Sequence, residues 1–132
     1  MKILLDTQSF IWWSDDTDLL SNTARAICAD NQNQLWLSYV SMWEMQIKVG
    51  LDKMKLSAPL DLLVERQVRL NGLFLLPIEP THLYSMNQIP LYPEHKDPFD
   101  RLLIAQVSFE NLTLLTSDAK IRQYEYGISV IW

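Results

Sequence analysis

The chain has 132 residues, 48% hydrophobic and 20% charged, with five Trp and five Tyr, the composition of one well-packed domain spanning 1–132 rather than a disordered tail. Eleven basic against sixteen acidic residues give a net charge of −5, which excludes a protein that holds nucleic acid by bulk electrostatics alone. The single cysteine, Cys28, excludes an internal disulfide and a Cys-based zinc site, and His82 and His95 lack a paired metal-ligand spacing.

In chain order, KILLD (2–6) is a short apolar run ending in an acid, the pattern of a buried parallel strand that opens into a site. A helical stretch around Ser9 to Trp13 follows, then the acidic loop 14–18. Residues 20–30 form a second helix with Ser21 as N-cap. LWLSYVS (35–41) reads as a strand and 42–50 as a helix that Gly50 can end. Residues 59–72 carry Leu60, Leu63, Val64, Gln67 and Val68 at helical spacing before the stop Asn71-Gly72. LFLLPI (73–78) is a strand, and 81–89 opens with a Thr cap. The Pro-rich loop 90–98 leads into a helix over 98–110, followed by strand 112–116, a short helix at 118–124 and strand 128–132. No apolar run approaches the ~20 residues of a membrane span, and Met1–Leu5 meets Asp6 before a signal core can form, so a soluble, cytoplasmic protein is expected.

About five strands separated by helices predict βαβ units and a mostly parallel sheet with helices on both faces. In such sheets ligands bind at the carboxyl ends of the strands. Asp6 follows the first strand, Glu44 lies just beyond the second and Asp118 ends LTLLTSD, so three carboxylates map to one edge. Each has a structural alternative. Ser41 and Glu44 form an S-x-x-E capping box, Glu44 stands four before Lys48 for an ion pair, and Asp118 can cap the helix after it. Asp6 is harder to assign that way, because a buried carboxylate must be solvated or paired.

The stretch KDPFDRLLIAQ adds Asp97 and Asp100. With Asp97 as N-cap, Pro98 occupies the first helical position, where its missing N–H and fixed φ cost nothing, and Asp100 the third. In projection Asp100 lies between Ile104 and Val107 on the flank of the apolar face, with Arg101 and Ser108 on the polar side. Asp100 is therefore assigned to the site and Asp97 to the cap. Such a carboxylate cluster suits metal-dependent phosphodiester hydrolysis by Mg²⁺ or Mn²⁺, and the ion supplies the positive charge the chain lacks. Without the ion the acids should repel and some should titrate high. Thr7, Thr116 and Ser117 sit beside the acids, and Lys48, Lys53, Lys55, Lys96 and Arg101 are candidates for backbone contacts with a nucleic acid.

LLDTQ, SMWE, DPFDRLLIAQ and LLTSD, in this order across the whole chain, resemble the PIN-domain ribonucleases, specifically toxins of the VapC type. The resemblance implies a three-layer α/β/α fold, a magnesium-dependent endoribonuclease acting on tRNA or ribosomal RNA, a homodimer, and inhibition by a VapB-type antitoxin. It implies Asp6, Glu44, Asp100 and Asp118 as the acidic site, with Asp6 and Asp100 as direct metal ligands. Gln8 stands where that branch of the family often has His. Other classes fail on particular residues: DTQ lacks the second acid of a receiver domain or of a D-x-D phosphatase, and no Gly-rich nucleotide cradle is present. The remaining alternative is a non-catalytic module of the same fold acting through a protein partner.

Overall fold

The computed structural model describes residues 1–124 and 127–132. The chain runs β1 (Lys2–Leu5), α1 (Thr7–Asp15), α2 (Asn22–Ala29), β2 (Gln34–Ser38), α3 (Tyr39–Gly50), α4 (Leu60–Asn71), β3 (Phe74–Leu76), α5 (Pro80–Ser85), α6 (Pro98–Glu110), β4 (Thr113–Leu115), α7 (Ala119–Arg122) and β5 (Ser129–Ile131). Among the described residues the five strands form one sheet in the order β3-β2-β1-β4-β5, and every neighbouring pair is parallel.

The alternating side chains of the strands build two cores. Leu4 and Leu114 face a core closed by Leu102, Leu103, Ile104 and Val107 of α6, while Ile3, Leu5, Leu35, Leu37 and Leu115 face Phe10, Ala24, Ile27 and Val64 of α1, α2 and α4. The sheet is thus the middle of three layers, as expected from the apolar runs of β1, β2 and β4. No helix of the described residues is long and apolar enough to cross a membrane.

Several boundaries differ from the sequence expectation, and side-chain caps explain most of them. β2 ends at Ser38 rather than at 41, because Ser38 Oγ accepts the Val40 N–H (3.0 Å) and starts α3 at Tyr39. Ser41 is then inside the helix and the Ser41/Glu44 capping box does not form. α1 begins at Thr7, two residues early, because Asp6 is its N-cap and accepts the Ser9 N–H (2.7 Å). Glu79, not Thr81, starts α5, with Pro80 next and the Glu79 N–H donated to His82 Nδ1 (2.9 Å). Gly50 is the last helical residue of α3, and the left-handed turn beyond it falls on Asp52 (φ 56°). Gly72 does stop α4, at φ 66°.

The largest correction concerns α6, which is buried all round from Arg101 to Val107 instead of having a polar side through Arg101. Arg101 is only 9% exposed, and its Nη1 and Nη2 donate to the carbonyls of Pro90 (2.8 Å) and Ile89 (3.3 Å). It is therefore no free surface cation. The guanidinium ties the loop preceding α6 to the helix itself. Replacing it by an apolar side chain of similar length strands two carbonyls, so Arg101→Met should lower stability by about 2 kcal/mol in urea unfolding. Amide exchange over 90–97 should accelerate in the same variant, and unchanged exchange there would show that the loop is held by something else.

Candidate active site

Three aspartates at the carboxyl edge of the sheet are N-caps. Asp6 caps α1, Asp97 caps α6 through the Phe99 and Asp100 N–H groups (2.8 and 3.2 Å), and Asp118 caps α7 through the Lys120 N–H (2.8 Å). The caps follow from the sequence: each acid stands directly before its helix, and Pro98 presets the first helical φ of α6. β1 and β4 are adjacent and in register, with the Asp6 N–H continuing the ladder to the Leu115 carbonyl (3.1 Å). Asp6 and Asp118 consequently leave neighbouring strands where the strand order reverses, the crevice in which open parallel sheets bind ligands.

These side chains surround one cleft of about 380 Å³, lined among others by Asp6, Glu44, Asp97, Asp100, Ser117 and Asp118. All four acids assigned from sequence line it, and so does Asp97, which was assigned to capping alone. Capping and cleft lining therefore coexist at Asp6, Asp97 and Asp118. Glu44 is 6% exposed, and its two oxygens accept from Thr7 Oγ1 (2.7 Å) and Lys48 Nζ (2.7 Å). The expected ion pair with Lys48 thus forms at the cleft wall, not on open surface, and Glu44 holds the Lys48 ammonium above its usual range. Exposed Gln8 also borders the cleft.

The electrostatics are those of crowded, desolvated acids. Burial pushes the Asp6 carboxyl above its ordinary range; hydrogen bonds from Ser9 and Thr116 oppose this, and the Asp118 charge adds to it. Asp100 is pushed up to about 6, first by burial and then by the charges of Asp97 and Glu44, against a hydrogen bond from His95. The N-termini of α1 and α6 supply partial positive charge that offsets some of this repulsion.

His95 is the residue that the spacing of histidines did not reveal. It is 4% exposed, its Nε2 lies 2.8 Å from Asp100 Oδ2, and a donor atom from each of His95, Asp100 and Asp118 falls within 4.8 Å of the others. Metal-ligand pairs are sought at helical or short loop spacing, whereas His95 reaches the site because the loop folds back over the start of α6. Its place two residues before an N-cap was the available signal. Asp6 is outside that closest trio, and its Oδ1 accepts the Ser9 N–H. Cys28 lies away from the cleft, half-buried among apolar side chains, and burial pushes its thiol up to about 11, as for a packing residue and not a nucleophile.

The donor set fits a hard divalent cation. It consists of carboxylate oxygens, two of them held above their ordinary range by burial and by neighbouring acids, and a divalent ion would relieve that repulsion. The pH response of the metal-free chain follows. With its carboxyl near 6 when folded against 3.8 otherwise, the folded chain holds the Asp100 proton more tightly than the unfolded chain between those values. That contribution to stability is present below the lower value and is lost as pH rises through the upper one. Asp100→Asn should therefore stabilise the metal-free chain at neutral pH, by on the order of 2 kcal/mol, and hardly at all at ~pH 3.5. Thermal unfolding across that window measures it, and a gain that is the same at both ends would contradict the assignment.

Comparison with curated proteins found no match. Among solved structures, the chain is similar to VapBC2 from Rickettsia felis bound to a DNA fragment from their promoter, with TM-score 0.71 and 16% identity over 99% of this chain and 98% of that one. It is likewise similar to DNA-bound VapBC from Salmonella typhimurium (TM-score 0.66, 16% identity, 99% and 97% covered) and to FitAcB from Neisseria gonorrhoeae (0.63, 18%, 98% and 96%). At these identities the likeness establishes the shared fold. The profile of the PIN domain matches residues 3–126, nearly the whole chain. The parallel sheet and the three layers agree with that match, and the chain belongs to the PIN domain family.

Proposed function

We propose that this single domain is the nuclease toxin of a toxin–antitoxin pair, acting in the cytoplasm as a divalent-metal-dependent endoribonuclease that leaves a 5′-phosphate and a 3′-hydroxyl. One observation carries this function: Asp6, Glu44, Asp100 and Asp118, contributed by widely separated parts of the chain, line a single cleft. Asp6 and Asp100 are the proposed direct ligands of Mg²⁺, with Mn²⁺ as substitute, and Glu44 and Asp118 complete the site.

Mg²⁺ held by Asp6 and Asp100 would supply Lewis acidity toward the phosphoryl oxygen and the attacking water. The chain's own groups do the rest. Asp6 and Asp100, aimed by the starts of α1 and α6, present carboxylate oxygens that are ionised at neutral pH once the cation is in place. Glu44, fixed by Thr7 and Lys48, orients water beside the scissile phosphate. Lys48, half-exposed and paired with Glu44 at the same wall, stands where it can also contact a phosphodiester.

A VapB-type antitoxin is the proposed partner, supported by the VapBC complexes among the structural neighbours. A second groove, of about 1020 Å³ and lined by Met42, Val49, Met54, Leu56, Pro59 and Leu60, suits an apolar segment of such a partner. Met54 borders this groove and the acidic cleft alike, so a segment seated in one reaches the other. Trp12 and Trp13 pack on the core, whereas Trp43 is 57% exposed on α3 and gives a second copy of the chain an apolar contact.

Purified chain with Mg²⁺ should cleave RNA, and excess EDTA should abolish the cleavage; activity that survives the chelator would refute the metal requirement. Asp6→Asn and Asp100→Asn should stay folded and lose at least ~100-fold in cleavage rate. Asp97→Asn should lose at most about 1 kcal/mol of stability, since Asn also caps well, and keep much of its cleavage. The opposite ranking of Asp97→Asn and Asp100→Asn would assign the site to the wrong aspartate. RNA ends sequenced after brief induction of the wild type, beside the Asp100→Asn chain, identify the substrate.

A further inference from the structure

The two histidines of the chain are both buried, and they are partnered differently. His82 is satisfied at both ring nitrogens: Nδ1 accepts the Glu79 N–H (2.9 Å) and Nε2 meets Glu110 (2.7 Å). That is the pattern of a histidine used to build a fold. His95 meets Asp100 Oδ2 through Nε2 (2.8 Å), and its Nδ1 is buried with no hydrogen-bond partner among the described residues. A buried ring nitrogen without a partner is a cost, and an apolar ring would fill the same space without it.

The rest of the residue is held firmly. Its backbone N–H donates to the Tyr92 carbonyl (3.0 Å), its carbonyl accepts from Tyr124 Oη (3.3 Å), and the Tyr124 ring stands edge-on to the imidazole at 5.3 Å. The loop thus fixes one ring in one orientation, and the polar return on that arrangement is the contact with Asp100. Nε2 must carry the proton to donate to a carboxylate, which leaves Nδ1 as the bare nitrogen. With Oδ2 engaged, Asp100 has no hydrogen bond on Oδ1 among the described residues, and a donor atom of Asp118 lies within 4.8 Å of the pair.

We propose that His95 is a positioning residue of the metal centre, its Nε2–H holding Asp100 so that the carboxylate meets a divalent cation beside Asp118. This rests on the acidic cleft being that centre. Hydrogen-bonded groups behind a ligand set its orientation, and their loss weakens metal binding without removing a ligand.

The experiment is Mn²⁺ binding to the purified chain, followed by the paramagnetic resonance of free Mn²⁺, with thermal unfolding of the metal-free protein alongside. His95→Phe keeps a ring against Tyr124 and deletes the donor, whereas His95→Gln restores an N–H near the position of Nε2. His95→Phe should weaken Mn²⁺ binding ~10–100-fold without lowering the metal-free unfolding temperature, and His95→Gln should recover most of the loss. Should the Phe variant fail to fold, His95→Met against His95→Gln makes the same comparison. Binding by the Phe or Met variant as tight as wild type overturns the proposal, as does a folded Gln variant that loses as much as they do. The underlying site is tested separately: wild-type chain that takes up no Mn²⁺ refutes both, while uptake lost in Asp6→Asn but unaffected by His95→Phe refutes the role of His95 alone.

Discussion

Carboxylates confined to one desolvated cleft repel one another, and the architecture around this cleft serves to keep them there. Asp6, Asp97 and Asp118 do so by acting as N-caps, each giving a side-chain oxygen to the backbone N–H groups at the start of a helix. The capping bonds satisfy donors that would otherwise be orphaned, and the helix ends of α1 and α6 lend partial positive charge to the acids. Part of the folding free energy thereby offsets an arrangement that is electrostatically unfavourable by itself. The carboxyls of Asp6 and Asp100 still lie above their ordinary range, first because burial desolvates them and then because neighbouring acids repel them. A divalent cation would offset both costs, so the geometry that strains the metal-free chain would suit it to a metal.

The loop before α6 decides whether the fourth acid takes part. Arg101 reaches back from α6 to the carbonyls of Ile89 and Pro90, and Tyr124 closes on His95 from the other end of the chain. These contacts set the entry into α6, and the entry sets Asp100. Glu44 arrives by a different route, through the Ser38 cap that starts α3 and the Thr7 hydroxyl that fixes its carboxylate. No single element contains the site, which exists only where β1, β4, α3 and α6 meet. Stability and chemistry consequently share residues, and Asp6 and Asp118 cannot be altered for one without touching the other.

The five strands and their parallel pairing, though not their order in the sheet, were legible because buried parallel strands are short apolar runs, as at β1, β2 and β4. Asp97, Pro98 and Asp100 were legible because capping chemistry is local, involving residues three apart. Ser38 was passed over in favour of Ser41 because both precede an amphipathic stretch, and only the demand for Val40 in the core chooses between them. Arg101 was placed on a polar side because a helical projection assumes one solvent-facing stripe, whereas α6 is enclosed by the sheet, α5 and the loop. His95 was invisible to ligand spacing because the loop, and not a periodic element, delivers it. The errors thus share a cause: each depends on a contact made by folding, which local sequence does not encode.

The converged acids are proposed to hold a metal ion. Crystals of the wild-type chain grown or soaked with Mn²⁺ test it directly, through the anomalous difference map at the manganese edge. A peak is expected in the cleft, bonded to carboxylate oxygens of Asp6 and Asp100. At saturating Mn²⁺, a map with no peak in the cleft, its acids bonded only to protein donors as in the metal-free arrangement, would contradict it.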